Sequence, residues 1–156
     1  MRLFVFIFLI SFLDAGAQKN NFQGTYAHYF GNSTEGAYQL IEICYLDSAN
    51  ILFYLEVGRG APSYNSGAIY GRLTQNKKTG DLEYFPKDTS GNCSLELAKN
   101  KNQIIIKTIA GDCPFGYGVV PDGKYTLQKS TNPLFFTDRK GKKIYFKKIP
   151  PEEYLQ

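Results

Sequence analysis

One imidazole, His28, is all the 156-residue sequence offers for proton transfer near neutral pH, and this restricts its chemistry at once. Acyl transfer needs a nucleophile beside a base. No Gly-x-Ser-x-Gly elbow is present, and a lone histidine in a first strand reads as a structural or surface residue. Glycoside hydrolysis needs two positioned carboxylates. Glu35, Glu42, Glu56, Glu83, Asp112 and Asp122 are candidates, but scattered charges on strands and turns are ordinary solvated positions. The run Gly111-Asp112-Cys113-Pro114-Phe115-Gly116-Tyr117-Gly118 is rich in glycine, yet it leads into no helix that would cradle a phosphate. One histidine and three cysteines supply no zinc constellation. The expectation is a protein that is not an enzyme and uses neither metal nor cofactor.

The three cysteines divide by their surroundings. Cys93 and Cys113 flank an expected hairpin and should pair, closing a loop of about twenty residues worth on the order of 3 kcal/mol. Cys44 is then left over, as a small buried apolar side chain. A disulfide needs an oxidising compartment, and the N-terminus points to one. Arg2 is followed by an apolar stretch from Leu3 to Leu13, then by the small-residue site Ala15-Gly16-Ala17. Residues 1–17 therefore read as a cleaved export signal, with a mature chain starting at Gln18. The stretch is too short for a bilayer core that needs about 20 residues, so no membrane anchor is expected after cleavage.

Residues 18–156 make a single domain of ordinary size, and no linker or repeat divides them. The formal net charge is +4, spread evenly until Arg139-Lys140-Gly141-Lys142-Lys143 and Lys147-Lys148. That cluster reads first as a solvated strand face, and second as a contact for an anionic glycan or membrane. A modest charge on an exported chain argues against nucleic acid.

Short β-branched and aromatic runs alternate with turn signals about every ten residues, which predicts an all-β fold. Strands are expected at Gln23 to Phe30, Tyr38 to Leu46, Ile51 to Val57, Gly67 to Thr74, Asp81 to Phe85, Cys93 to Leu97, Gln103 to Ile109 and Lys124 to Lys129. Along the third, Phe53, Leu55 and Val57 point one way and Tyr54 and Glu56 the other, as a strand with one buried face requires. Eight strands in succession favour an antiparallel up-and-down barrel over a sandwich, because closure removes the exposed edges. Gly24-Thr25-Tyr26 and Gly123-Lys124-Tyr125 are similar openings for the two strands that would close it. A short C-terminal hairpin across Lys140-Gly141-Lys142 is expected to follow, with Pro150-Pro151 ending it.

Within this frame Ser66-Gly67-Ala68-Ile69-Tyr70 lies in the run 61–71, which joins a hydroxyl-rich loop to the start of a strand and is the candidate contact loop. The pentapeptide resembles the Ser-Gly-x-x-Tyr motif of the bacterial inhibitors of C-type lysozyme, membrane-bound and periplasmic, which are exported eight-stranded barrels. In that family the motif's loop enters the lysozyme cleft, and a Lys before a Gly-Asp pair joins it there. Lys78-Thr79-Gly80-Asp81 is similar with one residue inserted. The resemblance implies Ser66 as hydroxyl donor, Gly67 as the tight turn, Tyr70 as motif aromatic and Lys78 as cation, with a lysozyme or other peptidoglycan-cleaving enzyme as partner. A second pattern looks like the C-terminal half of small exported bacterial barrel proteins. It comprises Cys93-x-Leu95, Ile104-Ile105-Ile106, Cys113-x-Phe115-Gly116-x-Gly118-Val119 and Asp122-Gly123-x-Tyr125; it supports the fold and carries no activity. Two other functions stay open: a calycin-like carrier of a small apolar ligand, and a cell-envelope module acting through the basic hairpin.

Overall fold

The computed structural model describes residues 21–28, 30, 36–86 and 92–154; the expected export signal and Glu35 lie outside them. Strict two-residue alternation organises the chain. In β3 (Ile51–Gly58) Ile51, Phe53, Leu55 and Val57 join one buried cluster, while Leu52 and Tyr54 join another. Side chains on a strand alternate between faces, so one strand feeds two cores.

The strands are β1 (Gly24–His28), β2 (Tyr38–Tyr45), β3, β4 (Ser66–Gln75), β5 (Leu82–Tyr84), β6 (Ser94–Asn100), β7 (Gln103–Ala110) and β8 (Gly123–Lys129). Each pairs antiparallel with its predecessor, and β1 pairs with β8 to close the barrel. The expected up-and-down topology is thus the observed one. At the closing seam the register shifts between Thr25 and Tyr26. Gly24 starts it at φ +132, and a Cβ there would collide with the Lys129 carbonyl. Glycine is needed on both counts.

Inside, Tyr26, Ile41, Ile43, Phe53, Leu55, Ile69, Leu95, Leu97, Ile104, Ile106 and Tyr125 form one contiguous core. Phe22, just before β1, and Phe115, from the connection between β7 and β8, are fully buried additions to it. An eight-stranded barrel is just wide enough for side chains to fill, and here large ones line it.

The C-terminal hairpin, β9 (Phe135–Thr137) with β10 (Lys143–Tyr145), covers the outside of β2, β3 and β4. Phe136, Ile144 and Phe146 pack on Cys44, Leu52, Tyr54, Ala68 and Tyr70. The rings of Tyr54 and Phe136 stack at 4.0 Å and 10°. β3 was expected to have one buried face; it has two over this stretch, because the hairpin takes water's place on the outer one. Beyond it a single 3-10 turn, Pro151–Glu153, returns Glu152 to Arg72 at 2.9 Å.

Cys93 and Cys113 are disulfide-bonded and Cys44 is a free, buried thiol, both as expected. Burial pushes the Cys44 thiol up in pKa, the reverse of what a reactive thiolate needs.

Candidate functional site

Antiparallel succession sends the connections alternately to the two ends of the barrel. β1, β3, β5 and β7 run towards one mouth, where the β3–β4 and β7–β8 connections lie; the β2–β3, β4–β5 and β6–β7 turns lie at the other. Two described connections at the first mouth, 59–65 and 111–122, form the candidate surface.

Loop 59–65 between β3 and β4 is closed by its own backbone: Arg59 N donates to Asn65 O at 2.9 Å and Tyr64 N to Gly60 O at 2.8 Å. Tyr64 takes a left-handed φ of 50, which holds its ring outward, 66% exposed. Segment 111–122 lies against this loop. Asn65 Nδ2 donates to Tyr117 O at 2.9 Å, Gly116 sits on the Asn65 side chain, and Gly118 meets the Arg59 guanidinium. Phe115 turns into the barrel between these contacts, where Gly67 leaves room: a Cβ at Gly67 would strike Pro114 O and the Phe115 backbone. The far side of the segment is pinned by Gln39 Nε2 to Val120 O (2.9 Å), Tyr125 OH to Pro121 O (2.7 Å) and Thr108 Oγ1 to Asp122 (2.6 Å). The disulfide fixes its start. What projects from this scaffold is Tyr117, 90% exposed, with Val120 at 60% and Tyr64.

Ser66 begins β4 at the edge of the same mouth. Its Oγ accepts from Arg139 Nη2 at 2.9 Å, a residue brought there by the C-terminal hairpin. Tyr38 lies over Gly58, the partner of Ser66, and donates to Glu56 Oε1 at 2.6 Å. Burial, then the Glu56 carboxylate, push the Tyr38 hydroxyl up to about 12, so it stays a donor. Nearby, Tyr54, Ala68, Asp138, Arg139, Lys140 and Tyr154 line a pocket of about 310 Å³ beneath the hairpin. Asp138 is buried there and accepts from the Lys140 and Lys142 amides.

The expected site residues do not converge. Ser66 and Lys78 sit at opposite ends of β4, in the mouth and in the turn at the far end. Nine rises along a strand put them roughly 30 Å apart, whereas paired glycosidase carboxylates lie about 5–9.5 Å apart. The cation beside Ser66 is Arg139. Gly67 serves packing under Phe115. Tyr70 is buried beneath the hairpin, donates to Ile149 O at 2.7 Å and packs on Phe136, Phe146 and Tyr154. Its parity could have shown this, since Tyr70 lies on the face opposite Ile69 and Leu73.

His28 Nδ1 lies 3.0 Å from Lys124 O and its ring on Phe30 and Tyr125, a packed role. Glu83 accepts from Asn76 and Asp122 from Thr108. Glu42, half-buried on the outer wall, is raised to about 7, chiefly by burial, with Lys129 opposing and Glu56 adding. Among the described residues no group of three or more His, Cys, Asp or Glu could hold a metal ion, and no helix is long and apolar enough to cross a membrane. No protein-family model, curated protein or solved structure matches the chain.

Proposed function

We propose that this is an exported, non-catalytic binding protein whose contact surface is the mouth formed by loop 59–65, Ser66 and segment 111–122. The observation that carries this reading is the projection of Tyr64 and Tyr117 from two segments locked to each other and to the barrel. Exposed tyrosines on a rigid base supply large contact area at little ordering cost, which is why they recur at binding surfaces. The disulfide accords with export into an oxidising compartment. The filled interior favours contact outside the barrel over carriage of an apolar ligand within it.

The motif resemblance supplies the first partner to try, a lysozyme or another peptidoglycan-cleaving enzyme. For a cleft lined by carboxylates the mouth offers the Ser66 hydroxyl with the Arg139 guanidinium, a pairing suited to charge-assisted hydrogen bonds. Lysozyme turnover is measured with excess protein across several lysozyme types, for wild type, Tyr64→Ala, Tyr117→Ala, Arg139→Ala and Lys78→Ala. Inhibition is expected to weaken in the first three variants and to persist in Lys78→Ala, which sits at the other end. Full turnover with wild type would remove lysozyme as partner. Equal inhibition by all five proteins would remove the mouth.

A further inference from the structure

The outer face of the C-terminal hairpin is built unlike the rest of the surface. Residues 133–151 hold six of the eighteen basic side chains and one of the fourteen acidic ones, so this segment carries more than the whole net excess of +4. The single acid, Asp138, is buried and accepts from the amides of the hairpin turn, so its carboxylate faces in. Lys140, Lys142, Lys143, Lys147 and Lys148 are all exposed.

Alternation explains the separation. Phe136, Ile144 and Phe146 face the barrel and anchor the hairpin, which leaves Phe135, Lys143 and Tyr145 on the outer side. There the lysines are interleaved with apolar groups. Lys143 Nζ lies 4.7 Å from the centre of the Phe135 ring and Lys148 Nζ 5.1 Å from that of Tyr145. Leu134, at the hairpin's foot, is 67% exposed and Tyr145 is 41% exposed.

We infer that this face docks on an anionic lipid surface. Lysine ammonium groups meet the phosphate headgroups, while their methylene stems, with Leu134, Phe135 and Tyr145, settle at the boundary with the acyl chains. A soluble polyanion would use the charge and leave the apolar residues idle; a lipid interface uses both. The hairpin lies along the barrel's flank, so docking leaves Tyr64 and Tyr117 free at the mouth. The inference stands on the hairpin alone and does not depend on what the mouth binds.

The test is co-sedimentation of the full chain with vesicles of phosphatidylcholine, with and without about a third phosphatidylglycerol, at about 0.1 M salt. Binding is expected to the mixed vesicles only. Each lysine near such a surface is worth about fivefold in affinity. The quadruple variant Lys140→Gln, Lys142→Gln, Lys143→Gln, Lys148→Gln should therefore bind roughly 600-fold more weakly. A second variant, Leu134→Ser with Tyr145→Ser, keeps every charge; it should weaken vesicle binding severalfold and leave binding to heparin, a lipid-free polyanion, unchanged. All six positions are exposed, and an unaltered melting temperature shows that the fold is kept. Absence of binding to the mixed vesicles, equal binding to neutral ones, or full binding by either variant would overturn the inference.

Discussion

Replacing Phe136 by alanine removes the centre of the outer core while leaving the barrel interior untouched. Phe136 is fully buried and touches the rings of Tyr54 at 4.0 Å, Tyr70 at 4.8 Å, Phe146 at 5.3 Å and Tyr154 at 5.8 Å. A phenylalanine buries about 200 Å², worth roughly 5 kcal/mol at about 25 cal/mol per Å². Measured Phe→Ala changes in cores span about 3–5 kcal/mol. Because the Phe136 cluster is distinct from the interior one, that loss should fall on the hairpin. The chain has no tryptophan, so near-ultraviolet circular dichroism reports its twelve tyrosines, of which Tyr54, Tyr70 and Tyr154 line this core. Hydrogen exchange then locates the damage. Amides of β9 and β10 should lose protection first, while the β2–β3 and β3–β4 ladders keep theirs. If those ladders open together with the hairpin, the two cores are one cooperative unit and the reasoning fails. A cost below about 1 kcal/mol would refute the packing estimate itself.

Three further outcomes follow from the same geometry. Glu42, raised from 4.5 to about 7 when folded, makes the native state bind the extra proton, so stability is fully present below pH 4.5 and falls as pH rises towards 7. The unscreened effect is roughly 3 kcal/mol and partial exposure should cut it to about half; Glu42→Gln should flatten that slope in urea melts across pH 4.5–7. Replacing both Cys93 and Cys113 by serine opens a loop spanning 20 residues and should cost about 3 kcal/mol, read by chemical denaturation against wild type with and without reductant. Gly67→Ala pushes a methyl into Pro114 O and the Phe115 backbone and should cost about 1–3 kcal/mol, with lost protection at 111–122 in hydrogen exchange.

Barrel topology was legible because short β-branched and aromatic runs recur between clear turn signals about every ten residues. The disulfide was legible because both cysteines flank one hairpin. What the outer faces do was harder to read. Tyr54 and Glu56 look like an ordinary solvent-side row until the hairpin is placed beside them, although the unbroken apolar run from Ile51 to Leu55 marks a strand buried on both sides. The Ser-Gly-x-x-Tyr match fell on three residues whose roles are set by long-range packing. Gly67 answers to Phe115, Tyr70 to Ile149 and the Ser66 hydroxyl to Arg139, all more than forty residues away in sequence. Nor does local sequence show that Tyr64 and Tyr117 share a mouth, since the bond between Asn65 and Tyr117 spans 52 positions.

The closing seam has a bearing on how the molecule is made. Thr25 pairs with Lys129, so the first strand must wait for the last before either edge is covered. At translation rates of about 5–20 residues per second, the hundred or so intervening residues take roughly 5–20 s to appear. Throughout that interval the nascent chain can form hairpins but no barrel, and it has nothing complete to unfold again should it be threaded across a membrane as it emerges.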